Sequence, residues 1–293
     1  MSIIAAIILG IIQGATEFLP ISSSGHLSIV SKLFGIDMGS GVLFEVLLHM
    51  GTLIAVCLVF WKDVKNLVVN GLGIIADVFR NFIIWIKRTF AHSDEQYVRI
   101  IYSAYRKFAA LIIITCIPTA IIGAIISKLM KNYVNTLIVP GIWLIMTALI
   151  LLFIDGNEGG EKKVKGTSFL DAAIIGVAQG FAVLPGLSRS GSTIAAGLLR
   201  GMKKTFVLKY SFLASVPAIL GANLLELITG DKSGITGNYV IGCLLGMAAA
   251  CAVGYFCIKW MINLVRESRY RYFAYYCAGV GAFAIIAYMI MGN

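Results

Sequence analysis

Charged side chains are scarce in this chain: Asp, Glu, Lys and Arg make up 13% of its 293 residues, whereas 59% are hydrophobic. A soluble domain carries about twice that charge, so water is excluded as the main solvent and a lipid bilayer takes its place. A Cys-x-x-Cys pair is also missing. The six cysteines, Cys57, Cys116, Cys243, Cys251, Cys257 and Cys277, stand inside apolar runs with no His nearby. That leaves them as small packing residues and argues against a disulfide framework or a metal site. No basic leader precedes the apolar N-terminus, so no cleavable signal peptide is expected. A net charge of +10 could suit nucleic acid. The Lys and Arg residues, however, lie in short loops between apolar runs, where they orient a membrane protein, and no nucleic-acid partner is expected.

Six stretches are apolar for about 18 residues or more, enough for a helix to cross the hydrocarbon layer: 42–61, 108–130, 137–154, 206–229, 239–262 and 273–291. Two others, 3–35 and 169–200, are interrupted by Pro, Gly and Ser clusters carrying ionisable residues, and are predicted to be re-entrant hairpins. Irregular backbone at membrane depth survives only inside protein or beside a wet cavity. The segment 67–88, within a cytoplasmic stretch 62–107, carries Asn70, Asp77 and Arg80 in an apolar run; it is predicted to lie in the interface rather than to span.

The interrupted regions resemble each other at an offset of 166 residues. Gln13 and Gly14 match Gln179 and Gly180, Ser22 matches Ser188, and Ser24 with Gly25 matches Ser190 with Gly191; Pro20 and Pro185 fall one position out of register. The expectation is a duplication within one membrane domain, with 1–154 and 169–293 as its halves. Each half comprises a hairpin plus three spans, and this odd number of crossings inserts the second half upside down. The predicted fold class is therefore all-α, a polytopic membrane protein of two inverted-topology repeats. Charge agrees: 62–107, 155–168, 200–205 and 263–272 fall on one side and hold most of the Lys and Arg, including Lys62, Lys87, Arg88, Lys162, Lys163, Lys203, Lys204, Arg266, Arg269 and Arg271. The opposite loops hold Lys128, Lys131 and Lys232. By the positive-inside rule the basic side is cytoplasmic.

Ionisable residues at membrane depth are costly and point to function. The first hairpin reads QGATEFLPISSSGH from Gln13 to His26, and the second reads PGLSRSGST from Pro185 to Thr193. Gln13 and Glu17, four apart, share one helix face. Ser22 to Gly25 follow a proline and lead into a helix, a place suited to an anion. A carboxylate beside an anion site makes sense if a divalent cation bridges Glu17 to phosphate oxygens. Arg189 adds a rigid fork of donors, and the surrounding hydroxyls and glycine amides complete a cup. A purely structural Glu17–Arg189 pair would leave the hydroxyls and His26 at the same two tips without a purpose. His26 alone reads as a satisfied core residue; in this company it becomes a nucleophile, general base or leaving-group acid, and the spacing does not choose. Glu45 and His49 serve equally well as an outer shell or a structural pair, and His92 sits in a polar loop.

At these two segments the sequence resembles the undecaprenyl-diphosphate phosphatase family, the bacitracin-resistance phosphatases of bacterial membranes, over nearly its whole length. The resemblance implies a multi-pass plasma-membrane enzyme that hydrolyses the C55 isoprenyl diphosphate to its monophosphate with a divalent cation, Mg²⁺ or Ca²⁺, recycling the lipid carrier of cell-wall synthesis. Glu17 takes the second acidic position of the family's Glu/Gln-x-x-x-Glu motif and Gln13 the first. Ser22, Ser23 and His26 match its Ser-Ser-x-Gly-His stretch; Ser188, Arg189 and Thr193 match its Pro-Gly-x-Ser-Arg-Ser-x-x-Thr motif. Catalysis is thus expected from Glu17, Ser23, His26 and Arg189, with attack by Ser23 or His26 left open. Phosphate binding is expected from Ser22, Ser188, Arg189, Ser190 and Thr193. The cation is expected on Glu17, with Gln13 reaching it through water. Undecaprenyl diphosphate and membrane lipid are the expected partners, and homodimerisation is open. The rival is a secondary transporter or flippase of lipid phosphate or another anion, which also suits inverted repeats but needs neither a metal-binding carboxylate nor a nucleophile.

Overall fold

The computed structural model describes residues 2–36, 42–130, 136–229, 237–264 and 269–291; Lys131, Lys232 and Arg266 lie outside them. Its described residues form eleven α-helices and, beyond them, two isolated backbone bridges, Gly159 to Lys203 and Lys162 to Met202. The first hairpin is α1 (Ile3–Phe18) and α2 (Ser23–Leu33), followed by α3 (Val42–Val59), α4 (Trp61–Ala91), α5 (Ala104–Met130) and α6 (Ile138–Phe153). The second hairpin is α7 (Phe169–Phe181) and α8 (Arg189–Leu199), followed by α9 (Lys204–Thr229), α10 (Gly237–Leu264) and α11 (Arg271–Met291). All six predicted spans are helices, and both interrupted regions are helix-turn-helix. Five helices, α4, α5, α9, α10 and α11, are long and apolar enough to cross a membrane, while α1, α3, α6 and α7 are shorter apolar helices. The protein is a multi-pass membrane protein.

Each hairpin breaks for a local reason. Leu19 precedes Pro20, which disfavours helical backbone there, and Leu19 is extended at φ −72°, ψ 146°. In the second hairpin the turn passes through Gly186 at φ +98°, a conformation natural only to glycine. A Cβ on Gly186 would also lie 2.3 Å from the Pro140 carbonyl oxygen.

Helix packing repeats between the two halves. Helix α1 lies against α10 and α7 against α5, while α6 and α11 pack on each other. Helices in lipid associate where small residues let backbones meet. A Cβ on Gly10 would sit 2.3 Å from the Gly246 oxygen and one on Gly14 2.6 Å from that of Ala250. At the corresponding positions, Gly176 would meet the Thr115 oxygen at 2.3 Å and Gly180 the Ile122 Cβ at 2.8 Å. The tips cross likewise: a Cβ on Gly25 would stand 3.0 Å from Gly186 Cα, and one on Gly191 3.4 Å from Pro20 Cβ.

The loops read as cytoplasmic gather at one end. Asp155 pairs with Arg271 at 2.8 Å, Lys209 with Asp63 at 2.7 Å, and Lys107 Nζ donates to the Lys165 carbonyl at 2.6 Å. Buried Asp171 takes Arg200 at 2.7 Å and Lys162 at 3.1 Å, and closes a capping box with Ser168. Helix α4 is longer than the predicted 67–88: it runs unbroken from Trp61 and is largely exposed. Its anchors are the Asp63 pair, Asp77 to Arg106 at 2.9 Å, and a coil at 92–103 folded back along it through Asn81 to Val98 and Lys87 to Glu95.

Candidate active site

The site forms where the hairpin tips cross. Helix α1 buries Gln13 and Glu17 on one face, and Gln13 Nε2 donates to Glu17 Oε2 at 3.0 Å. Ser23, the first residue of α2, donates its hydroxyl to the same oxygen. Arg189, the first residue of α8, donates Nη2 to Glu17 Oε1 at 2.6 Å. One carboxylate, 6% exposed, is thus held by the opening residues of two equivalent helices.

Both helix starts are built alike. Ser22 caps Gly25 N at 3.4 Å and Ser188 caps Gly191 N at 3.1 Å. Ser22 Oγ lies 3.4 Å from Ser24 Oγ, and Ser188 Oγ 3.2 Å from Ser190 Oγ. Ser22 differs in its backbone, at φ +69°, a region costly for a residue with a Cβ. His26 holds it there, since its backbone N and its Nδ1 reach the Ser22 carbonyl at 3.3 and 2.7 Å.

Among the described residues, polar atoms of the hairpins buried without a hydrogen-bond partner include Gln13 Oε1, Arg189 Nη1 and Ser192 Oγ, with Gln179 Oε1 another at the position matching Gln13. Such orphans are costly and call for a ligand. An amide oxygen accepts a cation or a water proton, and a guanidinium N–H donates to an anion. Among the described residues no three His, Cys, Asp or Glu converge as a metal cage. One carboxylate with a free amide oxygen nevertheless fits a Mg²⁺-like ion completed by water and substrate phosphates.

The sequence profile of the bacitracin resistance protein BacA family matches residues 6–283. The chain belongs to this family. It is 37% identical to the undecaprenyl-diphosphatase of Methanosphaera stadtmanae, over 99% of this chain and all of the relative. It is 39% identical to that of Desulforapulum autotrophicum over 98% of this chain and 99% of the relative, and 40% identical to that of Desulfosudis oleivorans over 96% and 97%.

Seen as a member of the family, the chain divides its expected phosphate ligands into two sets. Arg189 faces the carboxylate with a free donor. Ser190 instead donates to the Leu19 carbonyl at 3.0 Å, tying the tips together. Thr193 Oγ1 is fully buried between the Arg189 carbonyl, 2.8 Å, and Ser211 Oγ, 2.6 Å. Ser188, 1% exposed, is occupied as the cap. Of the outer residues, His49 Nδ1 lies 2.9 Å from the Glu45 carbonyl.

Three contributors escaped the sequence reading. Thr147 of α6 donates to the Gly186 carbonyl at 2.9 Å and accepts from Ser188 N at 3.0 Å, clamping the second tip. As a solitary hydroxyl in an apolar helix it carried a usable signal. Ser211 backs Thr193, and Tyr276 of α11 meets His26; neither stands in a motif.

Proposed function

We propose that this protein hydrolyses undecaprenyl diphosphate to undecaprenyl phosphate and inorganic phosphate, with a divalent cation, and that bacitracin resistance is the cellular consequence. The observation that carries this reading is the Glu17 carboxylate shared by Ser23 and Arg189, with Arg189 Nη1 buried and unpaired beside it. A pair serving only to join two hairpins gives no reason for a free donor.

Arg189 Nη1 and the open amides at the α8 N-terminus take the terminal phosphate, where a helix end favours negative charge. Ser23 Oγ attacks the terminal phosphorus and gives its proton to Glu17. The bond to the bridging oxygen breaks, and the lipid monophosphate leaves. Water then attacks the phosphoserine and keeps both of its protons on the departing phosphate, while Glu17 returns its proton to Ser23 Oγ, releasing inorganic phosphate. Ser23 is favoured over His26 because its hydroxyl already points at a base, whereas both His26 ring nitrogens are engaged. Glu17 and Gln13 Oε1 would hold the divalent cation, which would supply charge neutralisation at the phosphates, the main demand of phosphoryl transfer. Ser188, Ser190 and Thr193 act one step back, by fixing the tips.

The two halves are read as inverted repeats, supported by the glycine contacts and caps that recur 166 residues apart. Helix α4 is read as interfacial. The coil paired along its last turns holds Ser93, Asp94, Glu95 and Arg99, and an unpaired polar backbone is not tolerated in hydrocarbon.

Phosphate release from detergent-solubilised protein given a long-chain isoprenyl diphosphate tests the reading. Release with Mg²⁺ or Ca²⁺ that chelator stops supports it; absence of release by folded protein under all cation conditions overturns it.

A further inference from the structure

His26 has a partner from the far end of the chain. Its Nδ1 lies 2.7 Å from the Ser22 carbonyl and its Nε2 2.9 Å from the Tyr276 hydroxyl of α11. A carbonyl oxygen can only accept, so Nδ1 carries the proton; in a neutral imidazole Nε2 is then the acceptor and Tyr276 the donor. The rings lie parallel, 3° apart in plane with centroids at 5.5 Å. His26 is 7% exposed, while Tyr276 keeps 47% of its surface open. The basic nitrogen of the imidazole is therefore taken by the hydroxyl of a half-exposed ring.

We infer that Tyr276 is a positioning residue of the phosphatase, fixing the His26 ring in its Nδ1–H tautomer and so holding the strained Ser22 that sets Ser23 on Glu17. This rests on the proposed reaction and extends it by one residue. The chain of contacts is continuous: Tyr276 Oη to His26 Nε2, His26 Nδ1 to the Ser22 carbonyl, Ser22 to its neighbour Ser23, and Ser23 to Glu17. If His26 adopted the other tautomer, Nδ1 would present a lone pair to the Ser22 carbonyl. The two acceptors would repel, and the φ +69° backbone of Ser22 would lose the shorter of its two restraints, keeping only the His26 backbone N–H at 3.3 Å.

The competing explanation is that this part of α11 merely supports the first tip, since adjacent Cys277 points its thiol at the Pro20 carbonyl, 3.9 Å away. Two variants separate the roles. Tyr276→Phe keeps the ring stack and removes the donor; Cys277→Ala removes the tip contact and leaves the donor. In full-length solubilised protein, Tyr276→Phe is expected to lower kcat about tenfold or more, as tautomer faults do in other histidine-dependent sites, with KM within about twofold, and Cys277→Ala to leave kcat nearly unchanged. The second readout needs no activity. With three histidines in the chain, ¹⁵N-histidine spectra in a His49→Gln, His92→Gln background report His26 alone. Wild type is expected to show the Nδ1–H tautomer and Tyr276→Phe a mixture. Equal kcat losses in both variants, an unchanged kcat in Tyr276→Phe, or identical tautomer signals overturn the inference. A wild type that releases no phosphate yet shows the tautomer change would instead sink the phosphatase reading and leave the Tyr276 contact standing.

Discussion

The two hairpins share glycines and serine caps where their frames correspond, yet carry different side chains at most of the positions that meet at the Glu17 carboxylate. Gly10 and Gly176, Gly14 and Gly180, Ser22 and Ser188, and Gly25 and Gly191 correspond at the common offset and make corresponding contacts. At that offset Glu17 is matched by Val183, Ser23 by Arg189 and His26 by Ser192. The first hairpin thus carries the acid, the hydroxyl and the imidazole; the second carries the permanent positive charge. Small residues and caps are dictated by geometry common to both halves, whereas chemistry at a single shared centre needs unlike groups.

Substitution of matched positions probes this division. The largest effect is expected at Glu17→Ala, which should lower kcat at least about 1,000-fold by removing charge placed for the transition state. Val183→Ala should stay within about twofold in phosphate release. Comparable losses at both would mean that the hairpins share the chemistry equally. Ser23→Ala, which removes the attacking hydroxyl, is expected to cost at least about 1,000-fold as well, and Arg189→Ala about 100-fold in kcat/KM. Arg189→Lys should recover only part of the loss, because an ammonium lacks the planar fork; full recovery would reduce Arg189 to a point charge.

The shared frame predicts parity instead. Gly10→Ala and Gly176→Ala should each lower stability by about 1–3 kcal/mol through overpacking, read as thermal unfolding in detergent, with the specific activity of the folded fraction preserved. A large drop for one and none for the other would break the equivalence. The smallest effect is expected at the cation: Gln13→Ala should raise the Mg²⁺ concentration for half-maximal activity by about tenfold, the scale of a lost supporting ligand, while Gln179→Ala should not move it.

Most of the fold was legible because lipid imposes a coarse rule: a spanning helix needs a long apolar run, and a break in one needs a purpose. The exception was the length of α4, since nothing at Trp61 signals a new start directly behind Val59. The meeting of Glu17, Ser23 and Arg189 was legible because charge and hydroxyls inside apolar runs are conspicuous. The inner arrangement was not. Ser190 and Thr193 sit in the same motif as Arg189, yet their hydroxyls are taken by Leu19, which the crossing of the tips brings near, and by Ser211, which α9 brings against α8. Tyr276 is 250 residues from His26, among other exposed aromatic residues of α11, and no spacing rule connects them.

The most direct test of the central claim, that the Glu17–Arg189 pair performs chemistry rather than merely joining two hairpins, is phosphate release by the double variant Glu17→Gln, Arg189→Gln beside its two single variants. A structural pair strands a buried charge in each single variant and relieves it in the double, so activity would return when both charges are gone. A catalytic pair predicts a folded double variant as inactive as Glu17→Gln alone; recovery of most of the wild-type rate would contradict it.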